Sequence, residues 1–63
     1  MSKMENMLKD ALQMEQEHIT RYHTFAQNAD DAGDTGLARF FQNLATAREK
    51  HMTEIRKQLE IYS

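Results

Sequence analysis

Proline is absent from the chain, and its only two glycines, Gly33 and Gly36, lie close together near the middle of the 63 residues. Because proline and glycine most often interrupt regular structure, this distribution leaves one break with a long uninterrupted stretch on either side. The chain also lacks cysteine, which excludes disulfides and thiolate metal ligands. We therefore expect one small all-α domain spanning residues 1–63, built from two long helices.

On both sides of the break, apolar residues recur at intervals of three and four, which is typical of helices that bury one face. The first stripe consists of Met4, Leu8, Ala11, Glu15, His18, Tyr22, Phe25 and Ala29. The second stripe consists of Leu37, Phe41, Leu44, Arg48, His51, Ile55, Leu59 and Tyr62. We interpret the stripes as the inward faces of two helices. The flanking positions are Met7, Leu12, Met14, Ile19 and Ala26 in the first helix, and Phe40, Ala45, Ala47 and Met52 in the second.

Local signals place the ends of these helices. Ser2 and Glu5 have the spacing of a capping box, which predicts a first helix over about residues 3–30. Gly33 suits a left-handed helix stop in a turn over about residues 31–34. Either Asp34 or Thr35 can cap a second helix over about residues 35–61. A connection this short predicts an antiparallel hairpin.

Two polar residues interrupt each stripe: Glu15 and His18 in the first, and Arg48 and His51 in the second. When the hairpin folds about Gly33, His18 and Arg48 lie equally far from the turn. The same is true of Glu15 and His51. We therefore expect the four side chains to reach one level of the hairpin and to form a polar layer. Buried polar groups are costly unless they are paired, hydrogen-bonded or bound to a metal, so this layer is the candidate functional site.

A two-helix hairpin leaves much of an apolar stripe exposed to water. Two copies related by a twofold axis can cover both stripes and close a four-helix bundle. We therefore predict a homodimer or a higher homo-oligomer. The dimer brings two copies of each polar residue to its midsection.

Composition argues against several other classes of protein. The net charge is only −2 and no block of basic residues is present, which argues against nucleic-acid binding. No apolar run approaches the roughly 20 residues of a membrane span, so we expect no membrane association. The first ten residues also lack the apolar core of a signal peptide, and we expect a cytoplasmic protein.

The two stripes resemble the rubrerythrin branch of the ferritin-like proteins. The first helix of that branch has the pattern Glu-x-x-small-x-x-x-Tyr-x-x-Phe-Ala-x-x-Ala, where x is any residue. The second helix has the pattern Phe-x-x-x-Ala-x-x-Glu-x-x-His. The matching positions here are Glu15, His18, Tyr22, Phe25, Ala26 and Ala29, then Phe41, Ala45, Arg48 and His51. The hairpin corresponds to half of the family's four-helix domain, so the resemblance implies that a dimer restores the whole.

The resemblance also implies a metal site. Family members hold two irons between their helices with Glu and Glu-x-x-His ligands, which makes Glu15 and His51 candidate ligands here. Arg48 stands where the family has the Glu of Glu-x-x-His, and an arginine cannot ligate a metal. His18 replaces a small residue and is a further candidate ligand, while Tyr22 sits beside the iron site in the family.

Two functions follow from this sequence. The first is a small metal-binding protein, with iron as the metal that the resemblance implies, zinc or manganese compatible with the same donors, and iron oxidation or peroxide reduction as the family chemistry. The alternative is a metal-free helical dimerisation or adaptor module. In that case Arg48 neutralises Glu15, and the Glu-His-Arg layer only specifies how two copies pair. No nucleophile elbow, phosphate loop or other catalytic motif is present, and the sequence assigns no catalytic residue.

Overall fold

A computed structural model describes residues 2–62 of the protein. It contains two α-helices, α1 (Lys3–Asp31) and α2 (Thr35–Tyr62), and residues 2–62 form no strand. The helices pack along their length as an elongated hairpin of 47 × 14 × 9 Å. The predicted all-α hairpin is therefore confirmed, and both helices begin and end within one residue of the expected positions. Dimerisation remains a prediction.

The start of α1 follows from its first residues. Ser2 has extended backbone angles and is the N-cap, and its Oγ accepts a hydrogen bond from the Glu5 amide at 3.0 Å. Such a bond satisfies one of the amides that the first turn of a helix leaves without a partner. Glu5 also places a negative charge in the first turn, where the helix dipole favours it.

The turn between the helices is a Schellman motif. Gly33 has a φ of +80°, which glycine adopts without the steric cost that a side chain would bring. The Gly33 amide donates to the Asp30 carbonyl at 2.9 Å, and the Asp34 amide donates to the Ala29 carbonyl at 2.9 Å. Asp34 then caps α2 by accepting a hydrogen bond from the Leu37 amide at 3.0 Å. The chain therefore reverses direction within a few residues.

The contact between the helices is made chiefly of small side chains. The buried residues are Ile19, Ala26, Ala29, Ala38, Ala45 and Met52. Alanines at this contact let the two backbones approach closely, because they add little volume between the helices. Four of these positions, Ile19, Ala26, Ala45 and Met52, were expected only to flank the inward stripes.

The two predicted stripes instead lie beside this contact, and most of their side chains are half-buried or exposed. We call this surface the open face; it consists of Leu8, Ala11, Glu15, His18, Tyr22, Phe25, Leu37, Phe41, Leu44, Arg48, His51 and Ile55. The prediction that the stripes form the interior of the hairpin is therefore wrong for the isolated chain. The physical reason is geometric: one neighbouring helix covers only part of a wide apolar stripe, and the alanine side of each stripe permits the closest approach.

Large apolar side chains remain accessible to water on the open face. Phe25 and Leu37 are among them, and together with Asn28, Ala29 and Phe41 they line an apolar groove of about 390 Å³ near the turn. Neither α1 nor α2, as described over residues 2–62, is both long enough and apolar enough to cross a membrane.

Candidate metal centre

An ion pair joins the two helices close to their midpoints. The Arg48 Nη1 atom donates a hydrogen bond to the Glu15 Oε1 atom at 3.1 Å. The Glu15 side chain is 15% exposed and the Arg48 side chain 33% exposed. The pair thus sits at the edge of the open face, where the carboxylate is largely covered and the guanidinium still reaches water.

Arg48 is also in contact with Tyr22. The pKa of the Arg48 guanidinium lies above its usual value, because of its hydrogen bond with the Tyr22 hydroxyl and, next, its hydrogen bond with the Glu15 carboxylate. A raised pKa means that the charged form is favoured further, and the positive charge is lost only at a pH above the ordinary range of arginine. Arg48 is therefore a permanent cation, and its guanidinium donates to Glu15 across the hairpin.

His51 approaches the other oxygen of the same carboxylate. Its Nδ1 atom lies 3.4 Å from the Glu15 Oε2 atom. This distance permits electrostatic attraction, but the alignment does not meet the geometry of a hydrogen bond, and the buried Oε2 atom has no hydrogen-bond partner. His51 is therefore the neighbour that the hairpin places beside this oxygen, as an ion-pair partner rather than a hydrogen-bond donor. The His51 side chain is 49% exposed.

His18 does not join this group directly. Its Nδ1 atom lies 2.7 Å from the Met14 carbonyl oxygen, which accepts a hydrogen bond from it. The ring is thereby tied to the preceding turn of its own helix. The ring also lies next to Tyr22, with 6.2 Å between centroids. Of the four residues expected in the polar layer, the structure thus links Glu15, Arg48 and His51, while His18 bonds to its own helix.

Tyr22 is fixed by aromatic neighbours. Its ring stacks on Phe41 from the opposite helix with centroids 6.4 Å apart, and it meets the edge of Phe25 at 6.4 Å. Phe25 and Phe41 also contact each other at 5.4 Å. This cluster fixes the position of the Tyr22 ring between the two helices. The resemblance implied that Tyr22 lies beside the candidate site, and its contacts with Phe25 and Phe41 depend on side-chain rotamers that the spacing of residues does not define.

A family model described as Ferritin-like domain matches residues 1–62. The chain belongs to the ferritin-like domain family. No curated protein and no solved structure matched it. The family match confirms the ferritin-like part of the predicted resemblance, and the rubrerythrin branch remains a prediction.

The ferritin-like family implies a metal, and the residues of one chain supply only part of a site for it. Within residues 2–62, no group of three or more His, Cys, Asp or Glu side chains is arranged to hold an ion. The Glu15 Oε2 atom and the His51 Nδ1 atom are 3.4 Å apart, and Oε2 accepts no hydrogen bond. They are an oxygen and a nitrogen donor of the types that bind iron, zinc or manganese. One hairpin therefore brings two such donors together, which is fewer than a protein metal site requires.

Proposed function

We propose that the chain functions as a homodimeric metal-binding protein of the rubrerythrin type, with its metal at the midsection of a four-helix bundle. The observation that supports this proposal is the buried Oε2 atom of Glu15, which accepts no hydrogen bond and lies beside the Nδ1 atom of His51. A metal ion satisfies such an oxygen and uses the adjacent imidazole at the same time. The cytoplasmic location expected from the sequence belongs to the same proposal.

The dimer follows from where the polar layer lies. Glu15 and Arg48 are close to the midpoints of α1 and α2, so a twofold axis through the centre of the open face brings the layers of two copies together. The same operation covers Phe25, Leu37 and the groove that they line. Association therefore buries apolar surface and completes the donor set in one step.

Each residue of the layer has a distinct role in this proposal. Glu15 and His51 are the ligands, and Arg48 orients the Glu15 carboxylate by donating a hydrogen bond to its Oε1 atom. Tyr22 lies beside the layer, and His18 is a further candidate ligand. An iron ion bound in the layer supplies the redox chemistry that the resemblance implies, ferrous oxidation or peroxide reduction, provided that it keeps an open coordination position.

Metal content tests this function. The purified protein is loaded with Fe²⁺ under anaerobic conditions or with Zn²⁺, freed of excess metal and measured by elemental analysis. We expect bound metal in the wild type and none in the Glu15→Ala, His51→Ala double variant. His23→Ala is the matched control, because this histidine is exposed and outside the layer. Absence of metal in the wild type, or equal metal in the double variant, would refute the proposal.

The Arg48–Glu15 ion pair favours a second candidate function, a metal-free dimerisation module. In this alternative the pair neutralises the carboxylate, and the layer only specifies how two copies align. A charged layer of this kind makes any misaligned pairing costly, because shifted copies leave their charges unpaired. This alternative predicts a stable dimer that contains no metal after loading and that loses defined pairing in Arg48→Met.

A further inference from the structure

We infer that the exposed methionines of α1 form a site of reversible oxidation by hydroperoxides. Met4, Met7 and Met14 are 48%, 55% and 58% exposed, whereas Met52, the other methionine within residues 2–62, is 6% exposed. We call the three exposed residues the methionine edge. Its chemistry requires neither the proposed metal nor a second copy of the chain.

The methionine edge lies along one side of α1 and borders the open face. At about 100° per residue, its three members fall within an arc of about 80° around the helix. Met7 precedes Ala11 by four residues and Met14 precedes His18 by four, a spacing that makes each pair neighbours on the helix surface. Over residues 3–24 of α1, every large apolar side chain that is exposed is a methionine. The apolar surface on this side of α1 is therefore made of the aliphatic side chain that peroxide converts into a polar one.

The oxidation requires only the thioether and the hydroperoxide. The sulfur attacks one peroxide oxygen, so that an S–O bond forms and the O–O bond breaks. The sulfur loses two electrons and becomes a sulfoxide, while the other peroxide oxygen leaves with a proton as water or an alcohol. Methionine sulfoxide reductases return the sulfoxide to the thioether at the expense of a thiol reductant, so the modification is reversible.

Burial decides which methionines react and what the reaction changes. Met52 is buried in the contact between the helices, so peroxide reaches its sulfur only when the hairpin opens. The side chains of the methionine edge are about half exposed, so their sulfoxides are hydrated without separation of the helices. Because a sulfoxide is polar, oxidation removes apolar surface from this side of α1 while the hairpin stays folded.

Limited treatment of the purified wild type with hydrogen peroxide tests the inference. Peptide mapping by mass spectrometry assigns each added oxygen to its residue. We expect the methionine edge to be oxidised at least about ten times faster than Met52 in the folded protein, and at a similar rate in concentrated urea. The oxidised protein should keep its helical circular dichroism and elute earlier from a native hydrophobic-interaction column. Treatment with methionine sulfoxide reductases and dithiothreitol should restore the original elution.

Two variants assign the change in elution to the methionine edge. A Met4→Leu, Met7→Leu, Met14→Leu triple variant keeps an apolar surface without the sulfurs and should lose most of the shift, whereas Met52→Leu should shift as the wild type does. Oxidation of Met52 at the same rate in the folded protein would overturn the inference. An undiminished shift in the triple variant, or loss of helical circular dichroism when only the methionine edge is oxidised, would also overturn it.

Discussion

Replacement of Phe25 by alanine should weaken dimerisation strongly. A phenylalanine side chain presents roughly 150–250 Å², so the 39% that remains exposed in the hairpin corresponds to about 60–100 Å². Covering that area in the dimer contributes about 1.5–2.5 kcal/mol per copy at about 25 cal/mol per Å². Because the symmetric interface contains the residue twice, the loss is about 3–5 kcal/mol, which raises the dimer Kd roughly 150- to 5,000-fold.

A dilution series in the analytical ultracentrifuge measures this change directly. The control is Ile61→Ala, since Ile61 is 69% exposed but lies about 120° around α2 from Ile55 on the open face. The control should dimerise with a Kd within about threefold of the wild type, because no apolar contact is lost. Equal Kd values for Phe25→Ala and the wild type would show that the open face is not where two copies meet.

Three further predictions concern the hairpin itself, each checked by urea unfolding at fixed protein concentration. Gly33→Ala should lower the free energy of unfolding by about 1–2 kcal/mol, because Gly33 has a positive φ. Gly36→Ala, within α2, should leave that free energy unchanged or raise it. Equal effects of the two substitutions would contradict the assigned turn. Asp34→Ala should lower the free energy of unfolding by about 1 kcal/mol, because α2 loses its N-cap. An unchanged urea midpoint would show that Asp34 does not stabilise the helix as a cap. Ala45→Leu should lower the free energy of unfolding by about 1–3 kcal/mol, because Ala45 is 1% exposed and a larger side chain overpacks the contact. Thr46→Leu, at the exposed neighbouring position, should not lower it.

The turn and the helix ends could be predicted because their signals are local. Ser2, Gly33 and Asp34 act on backbone groups within a few residues, so their roles depend little on the rest of the molecule. The contact between Glu15 and the second helix could also be predicted, since a short turn defines the register of a hairpin. These parts of the account required only spacing and residue type.

The part of each apolar face that is buried in the hairpin could not be predicted. A periodic pattern shows that a face is apolar, but not which part of it meets the neighbouring helix. Ile19 and Ala45 are therefore buried where they were expected only to flank the contact. His18 was expected to join the polar layer, but the carbonyl of Met14 on its own helix accepts its Nδ1–H, a local competition that periodicity does not reveal.

Native mass spectrometry of the zinc-loaded wild type tests the central claim, that two hairpins close over the Glu15–Arg48–His51 layer around an ion. The account predicts a dominant species with twice the 7.4 kDa mass of the chain and with bound zinc. Circular dichroism on the same sample verifies that the chain is folded. A folded species at 7.4 kDa, persisting at micromolar concentration with zinc present, would contradict the account.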